Sequence, residues 1–155
     1  MPLCLSGKNI ESMAVRIKIE IQALNKPSKV EAIGLLNGGF ESDNPEILLP
    51  SRVAELLGFL PDLPASAVTN TYETAGGYEL KVHYLQDSVK IKVLIEDEKN
   101  APVLLSTVIS EQEREVILSD SAIDSLGIDI VTFSVGEWRF KGETKLRASF
   151  KKQLW

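Results

Sequence analysis

Residues 15–22 alternate without a break: Val15, Ile17, Ile19 and Ile21 are apolar, and Arg16, Lys18, Glu20 and Gln22 are polar. A period of two sends the two sets to opposite faces of an extended chain, so this segment reads as a strand with one buried and one wet face. After a break at Asn25-Lys-Pro-Ser28, a second and more apolar strand is expected over residues 30–36. The alternation returns at Tyr78, Leu80, Val82 and Tyr84, and again at Val89, Ile91, Val93 and Ile95. Residues 103–109, 115–118, 128–133 and the stretch around Trp138 and Phe140 read as further strands. Many short strands divided by turn residues point to an all-β barrel or sandwich.

Two short helices are expected within this pattern. The first follows Pro50, with Ser51 as cap, Val53, Ala54, Leu56 and Leu57 on one face, and Gly58 as the stop. The second has Ser121 three residues before Asp124, a capping-box spacing, with Ala122, Ile123 and Leu126 facing inward and Gly127 ending it. The 155 residues suit one domain, and 44% hydrophobic with 25% charged residues is enough for a core. Residues 1–12 lack periodicity and read as an N-terminal extension, with Met13 a candidate start and the domain spanning 13–155. Residues 61–64, bounded by two prolines, read as a stiff loop inside that domain.

Charge and composition narrow the function classes. The net charge of -5 gives no basic excess for phosphates, so no nucleic-acid partner is expected. Lys145, Arg147, Lys151 and Lys152, interleaved with Phe150 and Trp155, read as a solvated terminal strand. A lone Cys4 cannot form an intramolecular disulfide or a Cys-only metal site, which suits a reducing, cytoplasmic setting. No run of about 18 apolar residues is present, so no membrane span is expected, and the apolar stretch near Met1 is too short for a signal peptide. His83 has no second histidine to complete a metal site, and 96–100 reads as a solvated charged loop, so no metal or cofactor is expected. Ser119, Ser121 and Ser125 lack a nucleophile-elbow context, and Asp120 and Asp124 read as acids serving the start of the second helix.

One segment carries more chemistry than the rest: Gly34-Leu-Leu-Asn-Gly-Gly-Phe-Glu-Ser42, an apolar strand running into Asn37-Gly38-Gly39. Taken alone, Asn-Gly after a strand is an ordinary hairpin signal, because both residues tolerate positive φ. Three other features follow it in order. They are a helix at Arg52-Val-Ala-Glu-Leu-Leu-Gly58, a hairpin over 69–78 with Ala75-Gly76-Gly77 at its tip, and the strand and helix of Val116-Ile-Leu-Ser-Asp-Ser-Ala-Ile-Asp-Ser-Leu-Gly127.

This ordered set resembles the retropepsin-like aspartic proteases, most closely their small archaeal and bacterial members, over roughly residues 13–140. That family reads Leu-Ile-Asp-Thr-Gly-Phe where this chain has Leu35-Leu36-Asn37-Gly38-Gly39-Phe40. The resemblance implies a closed acid-protease barrel with two short helices, acting as a homodimer on an extended peptide or protein substrate. It puts Asn37, Gly38 and Gly39 at the catalytic turn. It puts Phe40, Glu41, Thr74, Ala75, Gly76 and Gly77 at the substrate-binding positions, the last four in a flap.

The departures from the family concern the chemistry itself. Aspartic proteolysis needs two carboxylates sharing one proton, one to take a proton from water and one to bond the scissile carbonyl. Asn37 is a neutral amide with no such basicity. Gly38 stands where the family's threonine hydroxyl ties the two turns together, and Ser119-Asp120 stands where many viral relatives have Gly-Arg. An Asp120 facing Glu41 would repel it. The expectation is therefore a pseudoenzyme as encoded, with Asn37 a natural replacement, an engineered one, or a precursor that deamidates to an acid. The alternatives are a non-catalytic peptide-binding β-barrel module and an unrelated small barrel in which Asn37-Gly38 is only a turn.

Overall fold

The computed structural model describes residues 14–73, 75–96 and 101–155. Alternation makes β1 (Arg16–Ala23) and the adjoining apolar run makes β2 (Lys29–Leu36), joined through Asn25 at φ 63. They pair antiparallel from Arg16↔Leu35 to Gln22↔Lys29. Next come β3 (Glu46–Pro50), helix α1 (Ser51–Leu56), β4 (Val68–Glu73), β5 (Glu79–Val93), β6 (Val103–Ser110) and β7 (Val116–Leu118). Helix α2 (Asp120–Ser125) leads to β8 (Ile128–Thr132), β9 (Glu137–Phe140) and β10 (Arg147–Ala148).

The main sheet runs β1-β2-β7-β3-β6-β5-β4, and β1 also pairs with β5. That extra pairing closes six strands into a barrel and leaves β4 outside it. Two of the ladders are parallel, β2 with β7 and β3 with β6. Ile17, Ile19 and Ile21 point into the barrel and meet Leu49, Ile91, Leu105 and Leu118 in one buried cluster. Full burial of each such isoleucine stabilises the fold by about 1.5–3 kcal/mol. At Gly34 a β-carbon would stand 3.4 Å from the side chains of Ile19 and Leu118, so these layers pack directly over the backbone of β2.

Several expectations change in detail. The two strands read at 78–84 and 89–95 are one 15-residue strand, β5, with its register shift between Leu85 and Val89. Residues Gln86-Asp87-Ser88 lie between the two alternating runs. In the fold they form a bulge with Asp87 at φ 46, and β6 satisfies it: Asp87 N donates to Ser106 Oγ and Ser88 Oγ to Thr107 Oγ1. β3 was not expected, and of the terminal strand expected from Lys145 onward only the two-residue β10 forms. β8, β9 and β10 form a separate three-stranded sheet and take no part in the barrel. In α1, Ser51 is the first helical residue and Pro50 the cap, with no side-chain capping bond, and Leu56 faces solvent. In α2 the cap is Ser119, whose hydroxyl accepts from Ala122 N, two residues ahead of the expected Ser121. Asp120 does lie in its first turn, but Asp124 is near the C-terminal end and pairs with Lys141 at 3.4 Å.

The tail is exposed along most of its length, as expected, but beyond β10 it is docked on the barrel and not a regular strand. Ser149 Oγ accepts from Arg16 N, Phe150 N donates to Arg16 O, Gln153 Oε1 accepts from Ile33 N, and Trp155 N donates to Arg114 O. It therefore bonds to β1 and β2 and ends beside the approach to β7. Arg147 lies over the rings of Trp138 and Phe140, at 5.8 and 5.3 Å, and is held there by Glu143.

Arg16 is the sharpest correction. The alternation assigns it to the wet face, yet it is 5% exposed and pairs with the buried Glu115 at 2.6 Å. Truncating one partner strands the other charge in the interior, whereas replacing both with apolar groups removes both desolvation penalties. Arg16→Met or Glu115→Leu alone should therefore cost about 3–5 kcal/mol, and the double replacement far less than the sum, as read from urea unfolding midpoints.

Candidate functional site

β2 ends at Leu36, and the chain then turns sharply. Asn37 N donates to Leu118 O at 3.2 Å, tying the turn to the last residue of β7. Phe40 N donates to Asn37 O at 3.0 Å, closing a four-residue turn over Asn37-Gly38-Gly39-Phe40. Inside it, Gly39 N donates to Asn37 Oδ1 at 3.0 Å, the side-chain turn that asparagine forms readily. Asn37 is half-buried, and Gly38 and Gly39 are exposed. A β-carbon at Gly38 would meet nothing within 4 Å, so a threonine would fit there sterically.

The turn walls an open cleft of about 450 Å³, lined by Asn37, Gly38 and Gly39 with Ala14, Leu35, Leu36 and Phe133. Phe133 is exposed in the connection after β8 and had no sequence signal linking it to this site. Phe40 and Glu41, expected to bind substrate, do not line this cleft, nor do Ala75, Gly76 and Gly77. Thr74 lies outside the described residues.

The hairpin itself forms as expected. β4 pairs with β5 from Val68↔Tyr84 to Glu73↔Glu79, with Ala75, Gly76 and Gly77 in the exposed connection. Gly77 sits at φ 81, a conformation that side chains resist. The Tyr78 ring lies against Gly76, where a β-carbon would stand 3.1 Å from it. All six residues of β4 are exposed, and its outer flank pairs with no other described strand. His83 shares a 2.8 Å hydrogen bond with Thr69 Oγ1 across this hairpin. Among the described residues, no group of three or more His, Cys, Asp or Glu side chains is placed to hold a metal ion. No helix among them is long and apolar enough to cross a membrane.

A brace that the sequence reading missed holds the far side of the turn. Asp120 Oδ1 accepts from Ser42 N at 3.0 Å and from Ser121 N at 2.7 Å, while Asp120 N donates to Phe40 O at 2.8 Å. The carboxylate is thus aimed at backbone amides and not at Glu41. Ser42 Oγ also reaches Ser121 Oγ at 3.2 Å. Ser119, fully buried, accepts from Glu46 N as well as from Ala122 N, so its hydroxyl joins β3 to α2. Burial, and then the neighbouring Asp43 carboxylate, raise the Glu46 carboxyl above the usual glutamate range.

No protein-family model matches this chain, and no curated protein matches it either.

Two measurements follow from this geometry. Hydrogen bonds to a charged acceptor contribute about 1.5–3 kcal/mol, so Asp120→Ala should speed exchange of the Ser42 amide by roughly tenfold or more. Glu46 holds its proton more tightly in the folded chain, so the stability it contributes is full below the usual glutamate range. That stability is lost as pH rises through the raised folded value. Glu46→Gln should remove this step from the pH profile of the urea midpoint, leaving the variant relatively more stable at neutral pH than in acid.

Proposed function

We propose that this chain is one half of a two-fold symmetric, retropepsin-like cleft that holds extended peptides, and that as encoded it binds them without hydrolysing them. The observation that carries this reading is the Asn37 turn. It stands at the end of a barrel strand, is anchored to β7 through Leu118 and lies open in a cleft. Each chain supplies one such turn, so a dyad needs a second copy related by a two-fold axis. The exposed β4–β5 hairpin, with glycines at its tip, is the flap of this reading. The unpaired flank of β4 offers backbone groups to an added strand.

The chemistry follows from residue 37. A pair of carboxylates at this turn would share one proton, letting one act as base toward water while the other bonds the substrate carbonyl. A pair of asparagines can order a water but cannot take its proton. Gly38 removes a further hydroxyl from the centre of the site, and the space there admits one.

The direct test is Asn37→Asp. Protein shown by mass to carry only asparagine at 37 should bind extended peptides but leave them uncut. Asn37→Asp should cleave them with an acidic optimum, and adding Gly38→Thr should raise the rate. Sedimentation should find a dimer at tens of micromolar, roughly the weak-association range. A strict monomer there, or robust cleavage by the all-asparagine protein, would overturn the reading. Peptide binding with no gain from Asn37→Asp would leave a binding module outside this family.

A further inference from the structure

We propose that Asn37 is a self-modifying position, converted in the folded protein from an amide to a carboxylate by its own turn and water. The reaction begins when the Gly38 nitrogen attacks Asn37 Cγ. A C–N bond forms, the side-chain nitrogen leaves as ammonia after taking up a proton, and a five-membered imide ring closes. Water then opens the ring. Attack at Cγ breaks its bond to the Gly38 nitrogen and leaves an aspartate. Attack at the main-chain carbonyl breaks the other C–N bond and leaves the isomer in which the chain runs through the β-carbon. The net change is amide plus water to acid plus ammonia, and no oxidant or cofactor is needed.

The turn supplies what each step asks for. The nucleophile is unengaged: among the described residues the Gly38 N–H has no acceptor, and open space surrounds this glycine. The electrophile is polarised, because Gly39 N donates at 3.0 Å to Asn37 Oδ1, the atom on which negative charge grows as the ring forms. A donor fixed at a developing oxyanion lowers the barrier without reorganising. The turn itself is held on both sides, by Asn37 N on Leu118 O and by Phe40 N on Asn37 O. Water reaches it from the cleft.

The other described asparagines make internal standards. Asn44 precedes Pro45, which has no N–H to attack with, Asn25 precedes Lys26, and Asn70 is held in β4 opposite Val82. Only Asn37 precedes a glycine. Conversion would set a carboxylate at the end of β2; that this acid then serves in peptide cleavage rests on the function proposed above, whereas the conversion does not.

The test is an ageing series. Fresh protein is held at mildly alkaline pH, folded or unfolded in urea, then digested under mild acid and mapped by mass over residues 30–45. The expected result is the mass gain of NH2 replaced by OH, confined to residue 37, at least as fast in folded as in unfolded chain. Gly38→Val, which crowds the attacking nitrogen in an open space, should slow it about tenfold or more. Folded protein converting about tenfold slower than unfolded chain, or Asn25 and Asn70 changing as fast as Asn37, overturns the proposal. Conversion without any gain in peptide cleavage leaves it standing and counts against the peptidase reading. Cleavage by Asn37→Asp with no ageing of the parent chain does the reverse.

Discussion

Both flanks of β1 are bonded, one to β2 from Arg16 to Gln22 and the other to β5 from Ile19 to Ala23. That double pairing closes six strands into a barrel and leaves β4 as the exposed edge of the main sheet. The first residue of β1 is Arg16, a charge that must be desolvated if the strand is to pair along its whole length. Glu115 neutralises it from just before β7, and the tail covers its backbone through Ser149 and Phe150. β7 in turn holds Asn37 by the carbonyl of Leu118. The seam, the buried ion pair and the turn are therefore consecutive parts of one arrangement.

Around the turn, rigidity comes from polar groups acting on backbone. Leu118 O and Asp120 Oδ1 grip the segment at Asn37 and at Ser42, on either side of the exposed glycines. Ser119 sits between them in sequence and fastens β3 to the start of α2. Three consecutive residues, 118 to 120, thus position a loop whose own side chains contribute little packing. A site held from behind in this way keeps its front open to solvent.

What the sequence discloses and what it hides divide along physical lines. The strand character of β1 and β2 was legible because a half-buried strand writes its burial into every second residue, and that of β6 from its apolar, β-branched run. The hairpin at 69–78 was legible from paired glycines between alternating runs. Arg16 misleads because alternation sorts by polarity, while its burial is set by Glu115 and by a tail 133 residues away. β5 was read as two strands because the hydroxyls that sustain its bulge belong to Ser106 and Thr107 on β6. The brace from Asp120 to Ser42 spans 78 residues and leaves no local mark. At the candidate site, the turn at Asn37 was readable but its neighbours Ala14 and Phe133 were not, since only the folded barrel brings them together.

The docked tail also sets an order of events, because a chain is made from its N-terminal side onward. Arg16 takes bonds from residues 133 and 134 positions later, and Ile33 waits for Gln153, 120 positions on. β1 and β2 are thus made long before the residues that finish them. Until residues 149–153 emerge, β1 carries a cation whose backbone is uncovered and β2 a donor at Ile33 without its acceptor. Contacts of such separation slow folding and lengthen the life of incomplete species. For this barrel, completion waits on residues 149–153, and a nascent chain stalled before them would hold its strands without their seal.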